Sequence, residues 1–147
     1  MTISDEWWTA PAEADNGQLI MITGRDDIDE VRQSGKYIYR IDVSWKYDAL
    51  PDGMPSREDA ELMEQADEAL KAAFRREKKI GVITGIYTGA GERNWVIYTS
   101  NLRVFSSVFN RALQELPALP IVIDAESDPD WEEYRQMREN TYINPGE

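Results

Sequence analysis

The sequence predicts an α+β domain: a ferredoxin-like βαββαβ core, with helices on one face of an antiparallel sheet, an extra N-terminal strand and a short C-terminal helix. Three observations predict it. From Tyr37 to Tyr47 apolar and polar side chains alternate with the period of two that a half-buried strand requires. Segments 56–79 and 101–116 instead repeat apolar residues at helical spacing. Between those helices, two β-rich runs flank a glycine-containing connection of hairpin length.

In chain order, residues 18–23 (Gln-Leu-Ile-Met-Ile-Thr) follow Asn16-Gly17 as an apolar run too short for a helix, and read as a strand. Asp26 to Gln33 reads as a short helix with an acidic start, ended by Gly35. In the strand 37–47, Tyr37, Tyr39, Ile41, Val43, Trp45 and Tyr47 share one face; Arg40, Asp42, Ser44 and Lys46 share the other. Ser56 is placed to cap the next helix, whose apolar positions are Leu62, Met63, Ala66, Leu70, Ala73 and Phe74. Its acids lie early and its bases, Arg75, Arg76, Lys78 and Lys79, lie late, as the helix dipole favours.

Residues 80–88 and 95–100 read as strands paired through a loop over 89–94. Asn101 caps a helix carrying Leu102, Phe105, Val108, Phe109, Ala112, Leu113 and Leu116, closed off by Pro117 and Pro120. Residues 120–124 form the next strand, and Asp128-Pro129 opens a last helix carrying Trp131, Tyr134 and Met137. The core therefore spans about 37–124 within one domain of residues 1–147, the size of a single hydrophobic core.

The chain has no cysteine and no histidine, which removes disulfides, thiolate zinc sites, cysteine nucleophiles and histidine acid–base chemistry. No apolar run approaches the ~20 residues of a membrane span. Acids at the N-terminus replace the basic start of a secretory signal, so the expected location is cytoplasmic. With 28 acids against 16 bases, the net charge of −12 repels nucleic-acid backbones and attracts basic protein surfaces.

Four groups of residues are candidates for function. The row Arg40, Asp42, Ser44 and Lys46 would lie on the helix-free sheet face; its plainer reading is a solvated face with cross-strand charge pairs. The glycine-rich hairpin with Tyr87, Arg93, Asn94 and Trp95 is either a phosphate cradle or, more simply, a turn, because it lacks the lysine of a P-loop. The acids Asp124, Glu126, Asp128, Asp130, Glu132 and Glu133 form an acidic face or serve a helix start; no EF-hand glycine is present and no metal is expected. Trp7-Trp8 is an exposed anchor for a partner or a staple holding the N-terminus to the core. No nucleophile motif is present, so no catalytic residue is assigned.

Several stretches also carry a family resemblance: Trp7-Trp8 with Pro11-Ala12-Glu13, Met21 to Asp27, Thr84 to Gly89, Glu92 to Trp95, and Asp128 to Trp131. Over nearly its full length the chain resembles the bacterial domain of unknown function 695, which implies no activity and no site residues. It is also similar to the regulator of ribonuclease activity B, an acidic ferredoxin-like inhibitor of a nuclease. That likeness implies an acidic binding module; this chain lacks the regulator's long acidic tail.

The expected function is a non-enzymatic protein-binding or regulatory module, monomeric or homodimeric, without cofactor, that engages a basic or mixed-charge partner surface. The alternative is a small-anion pocket or a weak carboxylate-based hydrolase, with Arg25, Arg40, Tyr87 and Arg93 converging.

Overall fold

A computed structural model describes residues 3–77 and 80–142. Its elements are β1 (Glu6–Glu13), β2 (Leu19–Asp26), α1 (Asp29–Gln33), β3 (Tyr39–Lys46) and α2 (Arg57–Arg76), then β4 (Val82–Gly89), β5 (Glu92–Thr99), α3 (Leu102–Leu113), β6 (Ile121–Ser127) and α4 (Glu132–Thr141). The six strands form one antiparallel sheet in the order β1-β2-β4-β5-β3-β6.

The long helices start where their caps dictate. Ser56 Oγ accepts from the Asp59 amide at 3.2 Å, and Asn101 Oδ1 from the Val104 amide at 3.0 Å. Lys78 and Lys79, read as the basic end of α2, lie outside the described residues. The β4–β5 connection is shorter than the expected loop over 89–94. Ala90 and Gly91 alone turn the chain, at φ 52° and 82°. Two consecutive left-handed residues make a primed turn whose twist matches the flanking strands, so Glu92, Arg93 and Asn94 are strand residues.

Strand β1 has no counterpart among the sequence-based expectations. It pairs along its whole length with β2, from Glu6↔Asp26 to Glu13↔Leu19, and β2 in turn extends the sheet beyond β4. Pro11 is tolerated because β1 is an edge. Gly24 is required opposite Trp8: a Cβ there would lie 2.2 Å from the indole ring. The tryptophan pair is therefore a staple on both faces of the sheet. Trp7 packs on the α2/α3 side, whereas Trp8 donates from Nε1 to Thr141 Oγ1 of α4 at 3.0 Å.

Helices cover both faces of the sheet, not one. On one face α2 and α3 bury Met63, Leu70, Phe74, Phe105 and Phe109 against Ile41, Val43, Trp45, Trp95 and Ile97. On the other, α1 and α4 bury Val31, Trp131, Tyr134 and Met137 against Ile22, Val82, Val96 and Tyr98. Gly85 admits α4, since a Cβ there would meet Met137 Sδ at 3.2 Å. Helix α4 begins at Glu132 rather than at Pro129, because Trp131 takes a left-handed conformation, φ 53°, that aims its indole into this second core. Asp128 still caps the helix from outside it, accepting from the Glu132 and Glu133 amides at 2.9 and 3.3 Å.

Candidate interaction site

The polar residues of β3 lie on the α4 side of the sheet. Arg40 is held by three acids: Asp42 at 3.1 Å, Glu126 at 2.8 Å and Asp128 at 3.5 Å. Asp128, only 7% exposed, also accepts from the Tyr98 hydroxyl at 2.7 Å. Burial alone raises its pKa, but Tyr98, the two α4 amides and Arg40 outweigh burial and hold it below the ordinary value. The charge at Arg40 is thus spent on structure, tying β3 to β6 and to the start of α4.

Glu133 is the strained member of this group. Its Oε1 accepts from the Tyr87 hydroxyl at 2.5 Å, while Oε2 is buried with no partner. Burial raises its pKa; Tyr87 and Arg40 oppose that, and the charges on Asp42 and Asp128 add to it. A carboxyl whose folded pKa is raised favours the fold below its unfolded value and loses that contribution as pH rises through the folded pKa. Glu133→Gln is therefore expected to stabilise the protein at pH 8 by about 1 kcal/mol, with the gain fading toward pH 4. Urea unfolding at both pH values measures it; a loss of stability at pH 8 would show that the ionised carboxylate has a favourable partner.

Helix α4 packs over β1, β2, β4 and β5, and the polar row of β3 beside it stays partly exposed. This leaves a strip in which Asp42 and Ser44 of β3 stand between Asn94 of β5 and the β6 residues Val122 and Asp124. Asp42 and Asp124 are direct cross-strand partners, a like-charge pair that costs stability wherever nothing neutralises it. Burial raises the Asp42 pKa against the pull of Arg40, and Glu126 and Asp124 raise it further. Lys46 lies at the exposed end of the row, opposite Glu92.

Strand β6 forms one edge of the sheet, and from Val122 to Ser127 every residue is exposed, Val122 at 63% and Ile123 at 44%. Beside Ile123, on the α3 side, Phe109, Leu113, Leu116 and Leu119 line a hollow of about 470 Å³. The acidic run does not form one face: Asp124, Glu126, Asp130 and Glu132 are exposed, Asp128 is buried and Glu133 is half-buried.

Arg25, Arg40, Tyr87 and Arg93 do not converge. Strand registers put Arg40 and Tyr87 on the α4 face and Arg25 and Arg93 on the α2/α3 face. Arg93 stacks over Trp95 at 4.8 Å, donates to Thr88 Oγ1 at 2.8 Å and lies 3.9 Å from Asp67. Trp95, expected at a binding surface, is 1% exposed; its Nε1 donates to Asp67 at 3.1 Å. The 89–94 segment is the end of β4, a two-residue turn and the start of β5, and the Gly91 amide donates to the Gly53 carbonyl at 2.9 Å. Among the described residues no group of three or more acids is arranged to hold a metal, and no helix is long and apolar enough to cross a membrane.

A profile described as "Family of unknown function (DUF695)" matches residues 5–137. The chain belongs to the DUF695 family. No curated protein and no solved structure matches it. In this DUF695 chain the matched segment runs from the start of the N-terminal hairpin to Met137, so it includes the sheet and Trp131, Tyr134 and Met137 of the second core. Sequence reasoning missed Tyr98, which donates to Asp128 from within the second core, and placed Tyr134 on the last helix without its bond to the Arg25 carbonyl. The available signal for β1 was Asn16-Gly17, which turns the DUF695 N-terminal hairpin, Gly17 at φ 83°.

Proposed function

We propose that this DUF695 chain is a non-enzymatic protein-binding module that takes an extended, basic segment of a partner along the free edge of β6. The bare edge carries this reading. Sheet edges are ordinarily blunted by charged side chains, proline, a bulge or a covering element; β6 carries Asp124 and Glu126, but among the described residues it has no lysine, proline, bulge or further strand beside it, keeps continuous register with β3 and exposes two large aliphatic side chains. An added strand would satisfy the edge and place alternate side chains on the two faces. On one side its lysines or arginines would meet Asp124 and relieve the opposed Asp42–Asp124 pair; on the other its apolar residues would cover Ile123 and the adjoining hollow.

The same charges argue against a second copy of this chain as occupant, because self-pairing would bring acidic edges together at a net charge of −12 each. The chain order β3-α2-β4-β5-α3-β6, with sheet order β4-β5-β3-β6, supports reading the core as a ferredoxin-like unit that β1 and β2 enlarge at the opposite edge. Likeness to the regulator of ribonuclease activity B points the same way, toward an acidic binding module.

The test uses a short fluorescent peptide of alternating lysine and valine, with a proline-interrupted peptide of equal charge as control. Binding of the first alone, falling with salt and weakened roughly tenfold or more by Ile123→Lys and by Asp124→Lys, is the expected result. Equal binding of both peptides, or affinity unchanged in both variants, would overturn the reading. So would a concentration-dependent dimer abolished by Ile123→Lys.

A further inference from the structure

On the opposite side of the molecule from β6, at the edge formed by the N-terminal hairpin, a cavity of about 370 Å³ opens between α2 and the sheet. Its volume falls within the range of small-molecule sites. Its chemistry runs against that of the chain. Arg25, Lys71 and Arg75 line it, and among the described residues Asp5 is its one carboxylate. Lys71 is also paired with Asp67 at 3.1 Å, so even after both acids are counted one positive charge is left over.

Arg25 makes this imbalance informative. Its guanidinium is half-buried and donates to two backbone carbonyls, those of Ser4 at 2.6 Å and Ile83 at 3.3 Å. Among the described residues neither Arg25 nor Arg75 has a carboxylate within ion-pair distance. Cations withdrawn from water are ordinarily paired, and a chain with 28 acids has ample means to pair them. Instead two of the cations lie over the Trp7 indole, Arg25 at 5.1 Å and Lys71 at 4.8 Å from its ring centroid. Asp5 sits against the same indole, accepting from Trp7 Nε1 at 2.9 Å, but it is a single carboxylate facing three cations. The remaining wall is apolar, from Ile3, Phe74 and Ile83, and Gly81 keeps it open, since a Cβ there would press on Phe74 at 2.9 Å.

We infer that this cavity binds a small organic anion, its carboxylate or phosphate held by Arg25, Lys71 and Arg75 and its apolar body laid against Ile3, Phe74 and Ile83. The site is independent of the β6 edge and stands or falls apart from it. Charge supplies attraction and orientation; the apolar wall separates such a ligand from inorganic anions, which lack a body to bury.

Octanoate, phenyl phosphate and inorganic phosphate are titrated by calorimetry. At least one of the two organic anions is expected to bind, and to bind more tightly than inorganic phosphate; which one identifies the headgroup. Arg75→Glu, at an exposed position, and Ile3→Glu are each expected to weaken binding at least roughly tenfold, while Arg111→Gln on α3 leaves it unchanged. Neither organic anion binding to the folded wild-type protein would overturn the site. Unchanged affinity in a folded Arg75→Glu variant would do the same, and inorganic phosphate binding as tightly as phenyl phosphate would overturn the apolar half of the assignment.

Discussion

Trp131→Ala is expected to lower the unfolding free energy by about 4 kcal/mol, within the range for removing a large aromatic side chain from a core. Trp131 is 1% exposed, stacks on Tyr98 with ring centroids 4.4 Å apart and meets Tyr134 edge-on at 5.6 Å. Its Nε1 also donates to the Tyr37 carbonyl at 2.8 Å, tying α4 to the segment before β3. Total stability of a domain is only about 5–15 kcal/mol, so the variant should remain folded but with a much earlier urea midpoint. Circular dichroism through a urea titration measures the change, and a loss below about 1.5 kcal/mol would mean that α4 contributes little to the cooperative fold.

Asp128→Ala is expected to cost about 3 kcal/mol at pH 7. One carboxylate serves the Tyr98 hydroxyl, two amides at the start of α4 and Arg40, and all four lose their acceptor together. The sign of the pH dependence follows from the depressed pKa of Asp128. A carboxyl with a lowered folded pKa stabilises the protein above its unfolded value, and that contribution disappears as pH falls through the folded pKa. The difference between wild type and variant should hold from pH 7 to about pH 5 and shrink below about pH 4. Unfolding free energies at pH 7, 5 and 3 test it; a difference that grew on acidification would show that Asp128 is folded in its protonated form.

These two residues also show how far the sequence could be read. Asp128 was legible as a helix cap because caps act over a few residues of chain, and so were Ser56 and Asn101. Its bonds to Tyr98 and Arg40 were not legible, since they span 30 and 88 positions. Trp131, Tyr134 and Met137 were visible as one apolar stripe, but a stripe does not say which surface it covers. A sheet face read as open was consequently half-covered by α4. The site residues divided the same way. The row Arg40 to Lys46 sits on one face as alternation requires, yet Arg40 is consumed by neighbours from β6 and the α4 start. Trp95, placed with the polar hairpin, belongs to the core, because the turn is two residues long and the strand begins earlier.

By itself the sequence determined the local quantities: the period of each strand and helix, their caps, the acidic balance, and the absence of thiol and imidazole chemistry. These depend on neighbours in the chain and on composition. Tertiary structure alone decided strand order, the second helix layer, the bare edge at β6 and the gathering of Arg25, Lys71 and Arg75 along one cavity. Those features depend on which distant segments meet, and residue types do not encode that pairwise; it is set by burying both faces of one sheet at once.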